Sequence, residues 1–335
     1  MAYELPDAAI AQSPVEPRDA ARLLVDRTTH VEHRHVADLP DLLDDGDLLV
    51  VNDTRVIPAR VALRRESGGA VEMLLLSELA DRRWSALLRP SRRLRVGERL
   101  AFDGAPGIGV TTVSRDDAGE WVVEVGGDEP VLDVLARHGA VPLPPYITTA
   151  LDDPDRYQTV YARRPASVAA PTAGLHLTPG LLDAVRARGV GVATVELEVG
   201  AGTFRPITAE RVEDHVMHAE RYTVPLPTIE AIEGAARVVA IGTTVVRALE
   251  SWAATGEVSG STELFITPGY RFAVVDRLLT NFHVPHSSLL ALVAAFVGPR
   301  WRSIYEEALA EGYRFLSFGD AMLLDRMHEP GRGDT

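Results

Sequence analysis

The chain has 335 residues, 46% of them hydrophobic and 24% charged, which is typical of a globular protein large enough for two domains. It contains no cysteine, and this excludes disulfides, thiolate nucleophiles and zinc–sulfur sites. The formal net charge of −14 argues against a protein that coats nucleic acid, and all 34 basic residues are arginines.

The first residues and the longest apolar run were compared with targeting and membrane-spanning segments. The first residues show no basic segment followed by an apolar core, so we expect no signal peptide. The longest apolar run, 289–297, is too short to span a bilayer and is interpreted as a buried helix. We therefore expect a cytoplasmic protein with no membrane partner.

Within the first 140 residues, the pattern of predicted secondary structure changes at about residue 61. Before it, a helical turn at 40–46 precedes a buried strand, Asp47–Val51. After it, short strand-like runs follow one another without helices, separated by glycine-rich turns. Such a region predicts a small barrel or a sandwich, which the helix Val131–His138 and the stiff segment Pro142–Tyr146 bring to an end.

From about residue 150 the pattern is that of an α/β region. Thr178 is the N-cap, and Pro179 the first residue, of a helix that ends at Gly189 before a strand. The run 237–242 predicts a strand that leads into a helix over 245–253. The segment 272–282 is strand-like, and helices are expected at 287–298 and 301–312.

Two loops at strand–helix junctions are built from small residues. In Pro171–His176, small side chains would let a ligand reach backbone N–H groups, with His176 acting on it. The alternative is a tight turn around a buried, hydrogen-bonded histidine. Val199–Pro206 is similar to a cradle for phosphate or carboxylate, but it lacks the third glycine and the lysine of nucleotide-binding motifs.

Three further loops carry polar or ionisable residues. At Gly242–Arg247 a strand runs into a helix N-terminus, which favours a bound anion, unless Thr243 merely caps the helix. Thr280–Pro285 is a polar bend containing His283, and Phe318–Met322 is a turn that presents Asp320.

A cluster of His215, His218 and Glu220 is open to two interpretations. The two histidines are three residues apart and share one face if the segment is helical. They would form either a metal site or an acid–base cluster, and their spacing matches no standard metal motif.

Arginines are concentrated between residues 55 and 95, a segment that contains ten arginines and four acidic residues. This local excess of positive charge is either a solvated sheet face or a surface that contacts phosphates.

Ten motifs in one order resemble a known family. They are ELPDAAIAQSP, LLDDGDLLVVNDTRVIPAR, PLPPYI, YQTVYA, VAAPTAGLHLT, VGAGTFRPI, HVMHAERY, GTTVVRALES, PGYRFAVVDRLLTNFHVPHSSLLALVAAFVG and YRFLSFGDAMLL. From about residue 3 to 324 the chain is similar to the S-adenosylmethionine:tRNA ribosyltransferase-isomerase family of queuosine biosynthesis.

The resemblance implies an α/β fold, with a large catalytic domain (1–60 and 150–335) and an inserted β-barrel domain (61–149). It also implies transfer and isomerisation of the ribosyl group of S-adenosylmethionine, a co-substrate, onto 7-aminomethyl-7-deazaguanine at the wobble position of tRNA. The products would be epoxyqueuosine, adenine and methionine. No metal is expected, and the protein would be a monomer or a weak homodimer.

Residues at matching positions are the expected site. The acid–base candidates are His176, His215, His218, Glu220, His283 and Asp320. The candidates for binding S-adenosylmethionine are Thr172, Gly174, Gly200, Gly202, Thr203, Phe204, Thr243, Thr244, Arg247, Tyr270, Asn281 and Phe282. Among these, Phe204, Tyr270 and Phe282 would offer aromatic faces to the sulfonium. Contacts to tRNA are expected from Arg55, Arg89, Arg92 and Arg93.

The chain departs from the family pattern at several positions. Glu196 and Glu198 replace neutral or basic residues, and strand alternation places both on one side of the sheet. Leu177 replaces phenylalanine, and Thr149 replaces an arginine. Two alternatives follow: a paralogue that uses S-adenosylmethionine with an acceptor other than tRNA, and a metal-dependent hydrolase built on His215, His218 and Glu220.

Overall fold

The computed structural model of the protein describes residues 1–117, 119–200, 217 and 219–327. In this part of the chain there are seven α-helices. They are α1 (Leu39–Leu42), α2 (Val131–His138), α3 (Pro179–Ala187), α4 (Leu226–Gly234), α5 (Thr243–Thr255), α6 (Ser288–Val297) and α7 (Trp301–Ala310). None of the helices in these ranges is long and apolar enough to cross a membrane.

A nine-stranded mixed sheet forms the centre of the larger part of the molecule. Its strands are β1 (Arg22–Asp26), β2 (Val31–His35), β3 (Asp47–Asn52), β13 (Gly191–Leu197), β14 (Glu220–Thr223), β15 (Arg237–Ile241), β16 (Ser259–Thr262), β17 (Arg277–Asn281) and β18 (Ala321–Asp325). They are ordered β16-β14-β13-β3-β15-β17-β18-β1-β2, and β13, β3, β15 and β17 run parallel to one another. The carboxyl ends of β15 and β17 therefore lie side by side.

Helices cover both faces of this sheet. Every residue of β3 is buried, as expected for a central parallel strand that is covered on both sides. Leu48 and Val50 pack in one apolar cluster with α5 and α6, whereas Leu49 and Val51 pack in another with α1 and α3. The alternation of buried side chains thus joins two helical layers through one strand.

The second sheet is a closed six-stranded antiparallel barrel. Its strands are β5 (Arg60–Arg65), β6 (Ala70–Ala80), β7 (Arg83–Arg89), β8 (Arg99–Phe102), β9 (Ala105–Arg115) and β10 (Trp121–Val125). Pairing of β5 with β8 closes the barrel, and β11 (Gly139–Ala140) extends the sheet at β5. Helix α2 seals its core through Val131, Val134 and Leu135. The predicted fold class, α/β with a small β-barrel, is confirmed.

A two-stranded ribbon connects the barrel with the larger sheet. It consists of β4 (Thr54–Val56) and β12 (Arg164–Ser167), which pair in parallel. The Ser167 hydroxyl donates to Thr54 Oγ1 at 2.7 Å, and the Val199 N–H donates to Ser167 Oγ at 3.1 Å. These buried bonds hold the start of the small-residue loop 168–176 next to the end of β13.

Candidate active site

A cavity of about 400 Å³ opens beyond the carboxyl ends of β15 and β17. This is the usual place for a ligand in an open α/β sheet. Its walls come from segments 170–173, 242–244 and 280–285, together with Leu5, Tyr146, Val199, Ser287, Leu289, Leu316 and Ser317. The cavity brings together six of the predicted site residues, Thr172, Thr243, Thr244, Asn281, Phe282 and His283.

The first turn of α5 forms one wall of the cavity. Gly242 joins β15 to α5 with a φ of +93°, a conformation that glycine adopts without strain. No side chain in the described part of the chain caps this helix, so its first N–H groups remain available to a ligand. Together with the positive end of the helix dipole, they favour a carboxylate in the cavity.

Thr244 adds a second donor beside that helix end. Its side chain is only 9% exposed, and its hydroxyl is buried without a hydrogen-bond partner among the described residues. A buried hydroxyl normally has a partner, because leaving it unsatisfied costs free energy. A ligand oxygen in the cavity would supply the missing partner.

Asn281 is the centre of a hydrogen-bond chain at the end of β17. Its Oδ1 accepts from the Thr172 hydroxyl at 2.8 Å, and its Nδ2 donates to His176 Nε2 at 3.1 Å. His176 lies behind Asn281 and does not line the cavity. The histidine therefore orients the amide, and the amide and Thr172 face the ligand space.

His176 is neutral at physiological pH. Burial, assisted by the charges of Arg314 and Arg18, lowers its pKa to about 4. Because Nε2 accepts the bond from Asn281, the proton of the neutral ring lies on Nδ1. A second imidazole, His283, does line the cavity, and burial lowers its pKa to about 3.

His283 is held firmly in place. Its Nε2 lies 3.0 Å from Thr280 Oγ1, its backbone N–H donates to the Tyr305 hydroxyl, and its carbonyl accepts from Tyr3. The neutral ring can accept a hydrogen bond from a group within the cavity, or a proton at a free-energy cost that its lowered pKa sets.

Glu220 and Arg247 form a buried ion pair outside the cavity. Glu220 Oε1 also accepts from the Gly200 N–H at 3.1 Å, and Arg247 Nε donates to the Leu264 carbonyl at 3.1 Å. The pair thus holds the backbone at Gly200. Neither side chain lines the cavity, so neither would contact a ligand there.

Asp320 and Gly174 also lie outside the cavity lining. The two carboxylate oxygens of Asp320 accept from the backbone N–H groups of Arg22 at 3.0 Å and Arg314 at 2.8 Å. A Cβ atom at Gly174 would collide with the Tyr161 hydroxyl, so this glycine allows a close approach of protein rather than of ligand.

The two aromatic candidates that the structure describes have different surroundings. Phe282 lines the cavity and also belongs to an aromatic cluster, with its ring 4.7 Å from that of Phe315. Tyr270 lies away from the cavity, where its hydroxyl is 3.4 Å from Glu250. Gly202, Thr203, Phe204, His215 and His218 lie outside the described residues. Among the described residues, no group of three histidine, aspartate or glutamate side chains is arranged to hold a metal.

The four arginines expected to contact tRNA are spread over the surface. Arg89 lines a second cavity beside the barrel, Arg93 lies in a shallow depression with Arg65, Arg95 and Arg99, and Arg92 is exposed. Arg55 is also exposed, with its guanidinium 3.6 Å from Asp155.

The two acidic residues Glu196 and Glu198 share one arginine partner. Glu196 and Glu198 both pair with the guanidinium of Arg164, the second at 3.1 Å, which confirms that they share one side of the sheet. Neither lines the ligand cavity. Leu177 is buried in the apolar cluster under α3, and Thr149 lines the second cavity.

Sequence reasoning missed several polar residues of the cavity. Thr280, Ser287, Ser317 and Tyr146 all line it, and the Tyr146 and Ser317 hydroxyls are 2.7 Å apart. The signal for Thr280 was its position as the first residue of the polar bend 280–285, and Ser287 follows this bend by two residues. Tyr146 and Ser317 come from segments far apart in the chain, so only the folded structure brings them together.

Comparison with known proteins finds relatives over nearly the whole chain. The sequence profile of the family described as queuosine biosynthesis protein matches residues 1–324. The S-adenosylmethionine:tRNA ribosyltransferase-isomerase of Gloeobacter violaceus is 51% identical over 334 residues, covering 96% of this chain and 94% of that protein. The protein of the same name from Rubrobacter xylanophilus is 52% identical over 325 residues and 96% of each chain.

A solved structure is similar over its full length. The crystal structure of the S-adenosylmethionine tRNA ribosyltransferase from Thermotoga maritima is 36% identical, covers 96% of this chain and 98% of that one, and superposes with a TM-score of 0.54. With the profile match over residues 1–324, these similarities show that the chain belongs to the queuosine biosynthesis protein family.

Proposed function

We propose that the protein transfers the ribosyl group of S-adenosylmethionine, with isomerisation, to 7-aminomethyl-7-deazaguanine in tRNA. The product is epoxyqueuosine in tRNA, and adenine and methionine are released. About half of the residues are identical in relatives that are named for this activity, and the matches cover 94% and 96% of those relatives. The observation that carries the proposal is the cavity at the β15 and β17 ends, which combines the uncapped start of α5, a hydroxyl with no partner among the described residues and a neutral imidazole.

The methionine part of S-adenosylmethionine would bind at the start of α5. Its carboxylate would accept from the N–H groups of Thr243 and Thr244 and from the Thr244 hydroxyl. Arg247 would take no direct part, because its guanidinium is engaged by Glu220 and by the Leu264 carbonyl. The sulfonium and ribose would then lie deeper, between 170–173 and 280–283.

The reaction requires proton transfers at the ribose. A sulfonium acidifies the adjacent 5′ carbon, so a positioned base starts ribose opening by taking a proton there. We assign this role to His283, which is neutral and lines the cavity. Adenine needs a proton in order to leave, and Thr280, bonded to His283, would connect the imidazole with the ligand space.

His176 would act through Asn281 rather than on the substrate. The amide is fixed by three groups: it accepts from Thr172 and donates to His176 and to the Asp320 carbonyl. We propose that this fixed amide orients the nucleoside. His176 is thus a positioning residue.

Binding of tRNA would involve the barrel. We propose the division into a catalytic domain (1–60 and 150–335) and a barrel domain (61–149), with the anticodon arm contacting Arg55, Arg89, Arg92 and Arg93. We propose a cytoplasmic location, because the protein would meet its tRNA substrate there. No metal would be required, and a monomer or weak homodimer would suffice.

The test is adenine release from S-adenosylmethionine. The purified protein is incubated with S-adenosylmethionine, with or without tRNA that carries 7-aminomethyl-7-deazaguanine, and both reactions are repeated in the presence of EDTA. We expect free adenine and epoxyqueuosine only when this tRNA is present. Absence of adenine in both reactions would overturn the proposal, and loss of activity with EDTA alone would overturn its metal-free form.

A further inference from the structure

A second cavity, of about 540 Å³, lies between the barrel and the segment 141–150. Its barrel wall consists of outward-pointing side chains on the adjacent strands β5, β6 and β7. These side chains are Arg60, Glu72, Leu74, Leu87 and Arg89. On β6, Val71 and Met73 point into the barrel core, so alternation leaves Glu72 facing the cavity.

In this wall one carboxylate lies between two guanidinium groups. Glu72 and Arg89 are direct cross-strand neighbours, and Arg60 Nη1 lies 3.6 Å from Glu72 Oε2. That separation is longer than a hydrogen bond. Arg60 Nε is buried without an acceptor among the described residues. Arg60 Nη2 donates to the Leu143 carbonyl at 3.4 Å instead, so Arg60 and Glu72 lie close to each other without a hydrogen bond between them.

The opposite wall is largely apolar and stiff. It is formed by Val141–Pro145, Ile147, Ala150, Val168 and Ala169, with Thr148 and Thr149 as its polar members. Three prolines in 142–145 restrict the backbone of this wall. A flat ring would fit between these residues and the side chains of Leu74 and Leu87, with its polar edge toward Glu72.

The polar groups match the edge of a guanine-type base. The N1–H and 2-amino groups of such a base donate two parallel hydrogen bonds, which a carboxylate accepts, and its 6-oxygen accepts from a guanidinium. An adenine edge would instead turn the N1 lone pair toward the carboxylate. The combination of Glu72 with Arg60 and Arg89 therefore selects guanine-type bases.

The second cavity adjoins the first through two shared segments. Tyr146 lines the first cavity, whereas its neighbours Pro145 and Ile147 line the second; likewise Ala170 lines the first and Ala169 the second. Since adjacent Cα atoms are about 3.8 Å apart, ligands in the two cavities would be close neighbours.

We propose that the second cavity is the subsite for the acceptor base. Glu72 recognises its N1–H and 2-amino groups, and Arg60 and Arg89 contact its 6-oxygen. The aminomethyl group is thereby directed toward the ribose held in the first cavity. This inference rests on the proposed function, and it assigns Arg89 to the base rather than to a phosphate.

The test compares two acceptors and three proteins. One tRNA carries 7-aminomethyl-7-deazaguanine, and the other carries the analogue that lacks the 2-amino group. The proteins are wild type, E72Q and the matched control E124Q. Glu124 is also on the barrel and is 48% exposed like Glu72, but it pairs with Arg83 and lines neither cavity.

For wild type and E124Q, removal of the 2-amino group is expected to lower kcat/KM for tRNA about 10- to 100-fold. E72Q should show a comparable loss with the natural acceptor and little further loss with the analogue. Its affinity for S-adenosylmethionine, measured by calorimetry without tRNA, should equal that of wild type.

The possible failures are distinguishable. If wild type releases no adenine with the natural acceptor, the proposed function itself is wrong. If wild type is active and E72Q still discriminates against the analogue as wild type does, the base is bound elsewhere and the subsite is overturned. The R89Q variant adds a check, because loss of a contact to the 6-oxygen should weaken both acceptors by the same factor.

Discussion

At the scale of single residues, removal of the Thr244 hydroxyl should change the affinity for the ligand without lowering the stability of the protein. The T244V variant keeps the shape of the side chain and removes a buried hydroxyl that has no partner among the described residues. We expect its thermal stability without ligand to be unchanged or higher, because no protein hydrogen bond is lost. Its affinity for S-adenosylmethionine should fall about tenfold, as measured by calorimetry.

Thr228 provides the matched control. It also lies in the first turn of a helix and is buried, but its hydroxyl donates to the Thr194 carbonyl at 2.7 Å. T228V should lose about 1 kcal/mol of stability and retain its affinity for S-adenosylmethionine. Equal ligand affinity in T244V and wild type would remove Thr244 from the site.

The buried histidines predict how stability depends on pH. The pKa values of His176 and His283 are lowered to about 4 and about 3, below the value of about 6.5 in the unfolded chain. The unfolded state therefore binds more protons as pH falls below 6.5, and the stability present at neutral pH is lost progressively. Each histidine should contribute about 1 kcal/mol per pH unit between pH 6 and 4.

This prediction is checked by urea unfolding at several pH values. The H176Q variant should show a shallower loss of stability between pH 6 and 4 than wild type. A histidine control, H30Q, removes an exposed imidazole that bonds only to neighbouring surface groups, and its profile should follow that of wild type. An unchanged slope in H176Q would mean that His176 is not buried in neutral form.

Several of the residues that line the cavity could be predicted from the sequence, but their hydrogen-bond partners could not. Thr172, Asn281 and His283 do line one cavity. The sequence placed His176 beside the ligand, whereas folding sets Asn281 between them. Asp320 likewise shows its role only when its two backbone partners, Arg22 and Arg314, are known. Hydrogen bonds between distant segments have no local sequence signal.

At the scale of secondary-structure elements, the Glu220–Arg247 pair joins β14 to α5. Both side chains are at least nine-tenths buried, so removal of one charge leaves the other unpaired in the interior. E220Q should therefore be destabilised by about 3 kcal/mol in urea unfolding. The double variant E220M/R247M should lose less than E220Q, because no buried charge remains.

An exposed ion pair provides the comparison. Arg164 is half exposed where it pairs with Glu196, and such pairs contribute less than about 1 kcal/mol. E196Q should thus unfold close to wild type. If E220Q were as stable as E196Q, the Glu220–Arg247 pair would not anchor these elements.

Local sequence patterns predicted most of the helices. They predicted too long a strand where backbone N–H groups bond to a side chain and not to a neighbouring strand. The N-cap at Thr178 is confirmed, since its hydroxyl accepts from the Leu181 N–H at 3.1 Å. The strand expected over 272–282 is shorter, Arg277–Asn281, because the N–H groups at 273–275 donate to the buried carboxylate of Glu250 instead of to a neighbouring strand. Helix α4, which begins after Pro225, was not predicted.

At the scale of the whole molecule, a net charge of −14 must be reconciled with an RNA substrate. The excess of arginine between residues 55 and 95 concentrates positive charge on the barrel side. The variant R92Q/R93Q should bind acceptor tRNA more weakly and reduce the slope of log K against log salt by roughly 2. Filter binding between 50 and 200 mM salt measures this slope.

The control removes arginines that are already neutralised. Arg64 pairs with Asp103 at 2.7 Å and Arg83 with Glu124 at 3.0 Å. R64Q/R83Q should leave the slope within experimental error of wild type. The same decrease in both variants would indicate general attraction rather than contacts at the proposed arginines.

The distribution of helical and strand-like segments predicted an α/β region and a region of short strands. It did not predict how the short strands pair. Runs of short strands left a barrel and a sandwich equally open, and only the pairing of Leu63 with Phe102, between β5 and β8, decides for the barrel. That pairing joins residues 39 positions apart, so no local pattern encodes it. The positions of the domain boundaries remain a prediction.

The most direct measurement is a crystal structure of the protein with S-adenosylmethionine. We predict that the ligand occupies the cavity beyond β15 and β17, with its carboxylate at the Thr243 and Thr244 N–H groups and its ribose within reach of His283. A ligand bound in the Arg60–Glu72 cavity, or with its carboxylate away from the start of α5, would contradict this assignment.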